Sequence, residues 1–217
     1  MATKIISIEG NIGSGKSTMV EYLKQYYINT PEVCFLQEPV DIWNTVTDKK
    51  GTTIIENYYK DQKKFAFQFQ MMAYISRISL LREALKKNYK MIITERCIFT
   101  DANVFAKMLY DEGLIEEIEY KIYKLWFNDF IKDIPTISLV YVKTNPEICN
   151  ARVLLRNRIG EIIPLEYLKK CHSYHEKWIN NNKECLNILT LDGNKNMSEE
   201  TKKYNIKMIN EFSNICF

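Results

Sequence analysis

No stretch of this chain approaches the ~20 consecutive apolar residues that a bilayer-spanning helix needs. The N-terminal Met-Ala-Thr-Lys leads straight into a strand-like run ending at Glu9, with neither the apolar length nor the flanks of a secretory signal. An excess of one charge is missing too. Thirty basic against 27 acidic residues leave +3, too little to argue for a nucleic-acid or membrane partner. Five prolines and seven glycines gather into no linker, and there is no repeat or low-complexity tract, so a single domain over 1–217 is expected. The six cysteines (Cys34, Cys97, Cys149, Cys171, Cys185, Cys216) lack CxxC or Cys/His zinc spacing. Without an export signal they are expected to be free thiols in a reducing, cytoplasmic compartment. What remains is ordinary: 46% hydrophobic and 26% charged residues. That composition excludes extensive disorder and fibrous repeats and supplies a full core without staples.

Short apolar runs alternate with helical stretches. Strands are expected at Lys4 to Ile8, Val33 to Gln37, Lys90 to Thr94, Thr136 to Val142 and Asn187 to Leu191. Phe65, Phe69, Met72, Ile75, Ile78, Leu81 and Leu85 recur at three- and four-residue steps, which predicts one long helix. Further helices are expected around Met19–Tyr27, Ala102–Tyr110 and Leu114–Lys132, after Pro146 and Pro164, and over Ser198–Phe212; Val46–Thr53 reads as a loop. Such alternation implies an α/β fold, a five-stranded parallel sheet with helices on both faces.

Gly10-Asn11-Ile12-Gly13-Ser14-Gly15-Lys16-Ser17 fits G-x-x-x-x-G-K-[ST] between a strand and a helix, with Thr18 counted among the phosphate-binding candidates. Glycines let the backbone aim N–H groups at phosphate oxygens, helped by the helix N-terminus. Lys16 supplies a charge to the β/γ-phosphates and Ser17 a hydroxyl to Mg²⁺. A nucleoside triphosphate, ATP or another, is therefore the expected donor. A GTPase would need N-K-x-D, but Asn194-Lys195-Asn196-Met197 lacks the aspartate. A small kinase of the P-loop fold fits length and topology best. Open parallel sheets bind ligands at the carboxyl ends of their strands. Glu9, Glu38, Glu95 and Arg96 fall there, and phosphoryl transfer to a hydroxyl needs a carboxylate and cations together.

Several runs in order carry a resemblance: Glu38-Pro39-Val40 with Trp43; Phe69-Gln70 through Ser76-Arg77; Glu95-Arg96-Cys97 with Asp101; Arg152 through Arg156-Asn157-Arg158; Ile163-Pro164-Leu165-Glu166-Tyr167-Leu168; and Leu189 through Asp192-Gly193-Asn194. Together they resemble the deoxynucleoside kinase family, of deoxycytidine and deoxyguanosine kinase type. The resemblance implies that Glu38 is the base for the sugar 5′-hydroxyl, that Arg96 stands beside it, and that Glu95 steadies hydrated Mg²⁺. It makes Gln70 a reader of the nucleobase edge and Phe69, Phe105 and Trp43 its aromatic walls. Tyr59 and Glu161 are implied as partners of the 3′-hydroxyl. Arg152, Arg156 and Arg158 are implied in an arginine-rich lid near 152–163, and Asp192-Gly193-Asn194 begins the loop that contacts the donor's base. Arg77 and Asp101, beside Ala73, go in this family with deoxycytidine or deoxypurines rather than thymidine, although Ala102 replaces an arginine of several cytidine-type relatives. A homodimer is also implied. The alternatives are a thymidylate-type monophosphate kinase, which would need cations where Glu38 and Trp43 stand, and a catalytically silent nucleotide-binding regulator.

Overall fold

The computed structural model describes residues 3–157, 163–181 and 187–215. Its strands are β1 (Lys4–Glu9), β2 (Val33–Leu36), β3 (Met91–Glu95), β4 (Ile137–Lys143) and β5 (Ile188–Asp192). All neighbours pair in parallel, in the order β2-β3-β1-β4-β5. The expected five strands are therefore present, with β1 in the centre. Ile8 lies in register with Glu95, which brings the exits of β1 and β3 side by side.

Side chains of β1 alternate between two cores, as strand geometry requires. Ile6 and Ile8 pack with Met19, Val20 and Leu23 of α1 (Lys16–Tyr26) and Ile209 of α10 (Glu199–Ile215). Ile5 faces the larger cluster, which takes Tyr74, Ile78 and Leu81 from α4 (Gln62–Leu85), Tyr123 and Phe127 from α7 (Glu117–Phe130), and Cys171 and Trp178 from α9 (Leu165–Asn181). Each fully buried Leu, Ile or Met stabilises the fold by about 1.5–3 kcal/mol, so both helical layers are held by the sheet. No helix among the described residues is long and apolar enough to cross a membrane.

Differences from the sequence reading are local. Two short helices, α2 (Val40–Thr45) and α3 (Ile54–Lys60), flank the expected loop and are too brief to display a period. The start of α3 carried a readable signal: Thr53 and Glu56 form a capping box. The helix expected at Ala102–Tyr110 begins earlier, as α5 (Ile98–Thr100), passes through a π-helical turn at Asp101–Ala106, and continues as α6 (Lys107–Asp111). The helix expected from Leu114 starts at Glu117, where the Glu116 N–H donates to the Glu119 carboxylate at 2.9 Å. A last helix of the β4 side, α8 (Pro146–Arg156), opens with proline in its first turn.

Candidate active site

Gly10 to Gly15 form the turn between β1 and α1, and Lys16 opens the helix. Gly13 adopts φ +77°, and a Cβ there would lie 2.5 Å from the Cys149 carbonyl oxygen, so no other residue fits. Asn11 ties the loop to α9 by donating from Nδ2 to the Leu168 carbonyl at 2.8 Å, while its Oδ1 accepts from the Ile12 N–H. The Ser14 carbonyl accepts from both Thr144 Oγ1 and Arg152 Nη1, each at 3.1 Å. Lys16 is buried and donates to the Asn11 carbonyl at 2.7 Å. Burial, reinforced by the charge of Arg96, lowers its pKa to about 8 despite the nearby carboxylates. Ser17 donates to Glu95 Oε1 at 2.6 Å, and Thr18 is exposed on the first turn.

Across the sheet edge, four elements bring charges together. Glu38 follows β2, Glu95 ends β3 and Arg96 follows it, Arg77 comes from α4, and Asp101 opens the π-helical turn. Arg96 Nη1 donates to Glu38 Oε1, and Arg77 Nη2 reaches the same oxygen at 3.4 Å. Arg77 also donates from Nε to Asp101 Oδ2 at 2.9 Å and from Nη1 to the Glu95 carbonyl at 2.7 Å. Arg77 and Asp101 are almost wholly buried, whereas a fifth of the Glu38 side chain meets solvent. Burial alone would raise the Glu38 pKa; Arg96, Arg77 and Lys16 overcome it and hold the carboxyl at about 2. For Asp101 burial wins over Arg77, and its pKa is raised. Arg96 sits at φ +61°, a left-handed conformation that costs a non-glycine residue about 1–3 kcal/mol. Its guanidinium lies 5.1 Å over the Phe105 ring, with Nε and Nη2 buried and unpaired among the described residues.

Trp43, Phe69 and Tyr58 form one aromatic wall, while Phe105 packs separately against Arg96 and His175. Phe69 lies edge-on to Trp43 at 5.5 Å and stacks on Tyr58 at 4.7 Å. Trp43 is fixed by a 2.9 Å bond from Nε1 to Ser76 Oγ. Gln70 is buried next to Phe69, and Tyr59 packs between the α3 cluster and the Val153–Ile163–Leu168 cluster. Arg156 lies exposed in the last turn of α8; Arg158 and Glu161 fall outside the described residues. Beyond β5, Gly193 donates to the Lys143 carbonyl at 2.8 Å, and Asn194 Oδ1 accepts from the Asn145 N–H at 2.8 Å. The loop after the last strand is thereby fastened to the start of α8.

Two features escaped the sequence reading. Tyr58 and Tyr167 bring their hydroxyls to 3.0 Å, joining α3 to α9; adjacent tyrosines at 58 and 59 were the available signal. Glu9 commits its carboxyl to the hydroxyls of Ser7 and Thr100. Among the described residues no three His, Cys, Asp or Glu side chains cluster to hold a metal. The neighbouring hydroxyl and carboxylate of Ser17 and Glu95 nonetheless fit magnesium, which uses one or two protein oxygens with water and phosphate. The site thus offers an anion cradle on one side, and on the other an ionised carboxylate beside two guanidinium groups and an aromatic wall.

The family model described as deoxynucleoside kinase matches residues 6–216. A protein of fowlpox virus named probable deoxycytidine kinase is 38% identical over a match that covers 83% of this chain and 74% of that protein. Human deoxycytidine kinase is 33% identical, with 96% of this chain and 90% of that protein covered. Human mitochondrial thymidine kinase 2 is 33% identical, with 81% and 64% covered.

Proposed function

The chain belongs to the deoxynucleoside kinase family, and on that premise we propose that its preferred acceptor is deoxycytidine, followed by deoxyadenosine and deoxyguanosine, with thymidine last. The observation that carries the contrast of deoxycytidine and deoxyadenosine with thymidine is the buried pair Arg77–Asp101, 2.9 Å apart; the place of deoxyguanosine rests on the family resemblance. Held by Arg77, Asp101 is an acceptor suited to the exocyclic amine of cytosine or adenine. Thymine offers a carbonyl there, and a buried acceptor left unpaired costs about 1–3 kcal/mol, a ten- to hundredfold preference. Relatives named deoxycytidine kinase support the order, and the relative named thymidine kinase 2 supplies the competing one.

In this reading the nucleoside 5′-hydroxyl approaches Glu38. Its oxygen attacks the γ-phosphorus of ATP, the bond to the β-phosphate oxygen breaks, and the hydroxyl proton passes to the Glu38 carboxylate. Because the transition state is loose, proton transfer comes late, and a carboxylate of low pKa suffices. Arg96 keeps Glu38 ionised, and its Nε and Nη2, unpaired among the described residues, are donors for the attacking oxygen or the transferring group. Lys16 and the loop from Gly10 to Thr18 hold the triphosphate, with Arg152, Arg156 and Arg158 closing on it. Ser17 and Glu95 are the residues that would hold Mg²⁺, whose charge offsets that of the β- and γ-phosphates. Gln70, Phe69, Phe105 and Trp43 surround the base, and Tyr59 and Glu161 take the 3′-hydroxyl. Ile118, Ile122, Leu125 and Trp126 lie exposed along α7, which supports a homodimer; sedimentation giving a monomer at micromolar concentration would contradict it. A radiolabelled assay over the four deoxynucleosides tests the main proposal. The highest kcat/KM is expected for deoxycytidine, and a highest value for thymidine would overturn the role given to Arg77 and Asp101.

A further inference from the structure

Glu9 ends the central strand with its side chain fully buried. Among the described residues it makes no ion pair; its two oxygens accept from the hydroxyls of Ser7 and Thr100 instead. A buried carboxyl is costly where an apolar side chain would serve packing alone, and this one has both oxygens committed. Thr100 is the last residue of α5, immediately before Asp101 and the π-helical turn. At the other end of the same β3–α5 corner, the Arg96 N–H donates to the carbonyl of Ile8, the residue before Glu9, at 3.0 Å. The exit of β1 therefore grips this corner twice, by backbone at Arg96 and by side chain at Thr100. Arg96, paired with Glu38, and Asp101, paired with Arg77, are presented from just these two anchor points. π-helical turns carry one residue more than the regular ladder accommodates, so the position of Asp101 depends on what fixes the residue before it.

We propose that Glu9 is a positioning residue for nucleoside recognition: through Thr100 it sets where the π-helical turn places Asp101, and with it the Arg77–Asp101 pair. The inference rests on the reading of that pair as the selector of the base. Replacing Thr100→Val keeps the branched shape and removes the hydroxyl. The KM for deoxycytidine is expected to rise about tenfold, and the deoxycytidine-to-thymidine ratio of kcat/KM to fall by a similar factor. The KM for ATP should stay within about twofold, since the phosphate loop keeps its contacts. Thr100→Ser, which restores the donor, should restore the ratio. Glu9→Leu removes the acceptor instead and carries the same expectation for the base ratio, though not for the ATP KM, because the Glu9 charge also acts on Lys16; a valine variant that fails to fold thus leaves the proposal testable. Equal increases in both KM values for Thr100→Val, an unchanged base ratio, or a serine variant as impaired as the valine one would each overturn it. Asp101→Ala separates the two readings. If it leaves the base ratio untouched, the selector role itself fails; if it collapses the ratio while Thr100→Val and Glu9→Leu do not, only the role of Glu9 falls.

Discussion

The two ends of the candidate site, read in the proposed function as the donor end and the acceptor end, are built in opposite ways. The donor end is contiguous: eight successive residues, Gly10 to Ser17, supply the turn, the lysine and the hydroxyl. Its chemistry is carried mostly by backbone, and substitution is limited by space, as at Gly13. The acceptor end is dispersed. Glu38 meets Arg96 across 58 positions of sequence and Arg77 across 39, side chain to side chain in both cases. A contiguous cradle accepts one kind of ligand, a polyphosphate, whereas an assembled cluster can be retuned one residue at a time. Selectivity is therefore expected to reside at the acceptor end and affinity for the donor in the loop.

The sharpest way to break this division is Glu38→Gln. Loss of a positioned base typically lowers turnover by about 10²–10⁴-fold, and a fall in kcat of this order is expected with ATP affinity unchanged. Retained turnover would remove Glu38 from the chemistry, and a parallel loss of ATP binding would show that the two ends are not separable. A smaller effect comes from pH. With a pKa lowered to about 8, Lys16 in the free enzyme is a cation below that value and neutral above it. Triphosphate affinity is expected to fall by up to about tenfold per unit above pH 8. Bound phosphate pulls the pKa back up, so kcat at saturating ATP should hold to higher pH. ATP titrations at pH 7 and 9.5 with equal affinity would contradict this. The smallest effect concerns the support behind the acceptor wall. His175 is fully buried, with Nδ1–H donating to the Cys171 carbonyl at 2.7 Å and its ring 6.1 Å from that of Phe105. Burial lowers its pKa to about 3, so the unfolded chain takes up the proton first. The contribution of the neutral ring is intact above about pH 6.5 and is lost toward pH 3, at about 1.4 kcal/mol per unit. Urea midpoints should decline from pH 6.5 to 5, and His175→Leu should flatten that decline; an equally steep curve in the variant would assign the acid sensitivity elsewhere.

Sequence and structure agree where the information is local or periodic. The short apolar run from Lys4 to Ile8 marks a buried strand, the steps from Phe65 to Leu85 mark α4, and the glycine loop is legible letter by letter. Glu38 and Arg96 are recognisable as strand-exit residues, but nothing linear says that Arg77 reaches Glu38, Asp101 and the Glu95 carbonyl at once. That triple contact depends on α4 crossing the exits of β2 and β3. The π-helical turn is hidden for a related reason: a single extra residue within a helix leaves no period to detect. Glu9 is readable as a charge at a strand end, yet its partner Thr100 is set by how β1 and α5 meet, which only the fold supplies.

The torsion at Arg96 has a consequence for redesign. Glycine would relieve the left-handed backbone there and make the chain easier to fold, but it would discard the guanidinium; any other residue inherits the twist without the fork. A lysine at 96 would keep a cation yet lose the further guanidinium donors, Nε and Nη2, and the flat contact on Phe105. If Arg96 has the role proposed above, stability screens would reward replacements at this position that lower turnover, and directed evolution for heat resistance should hold it invariant.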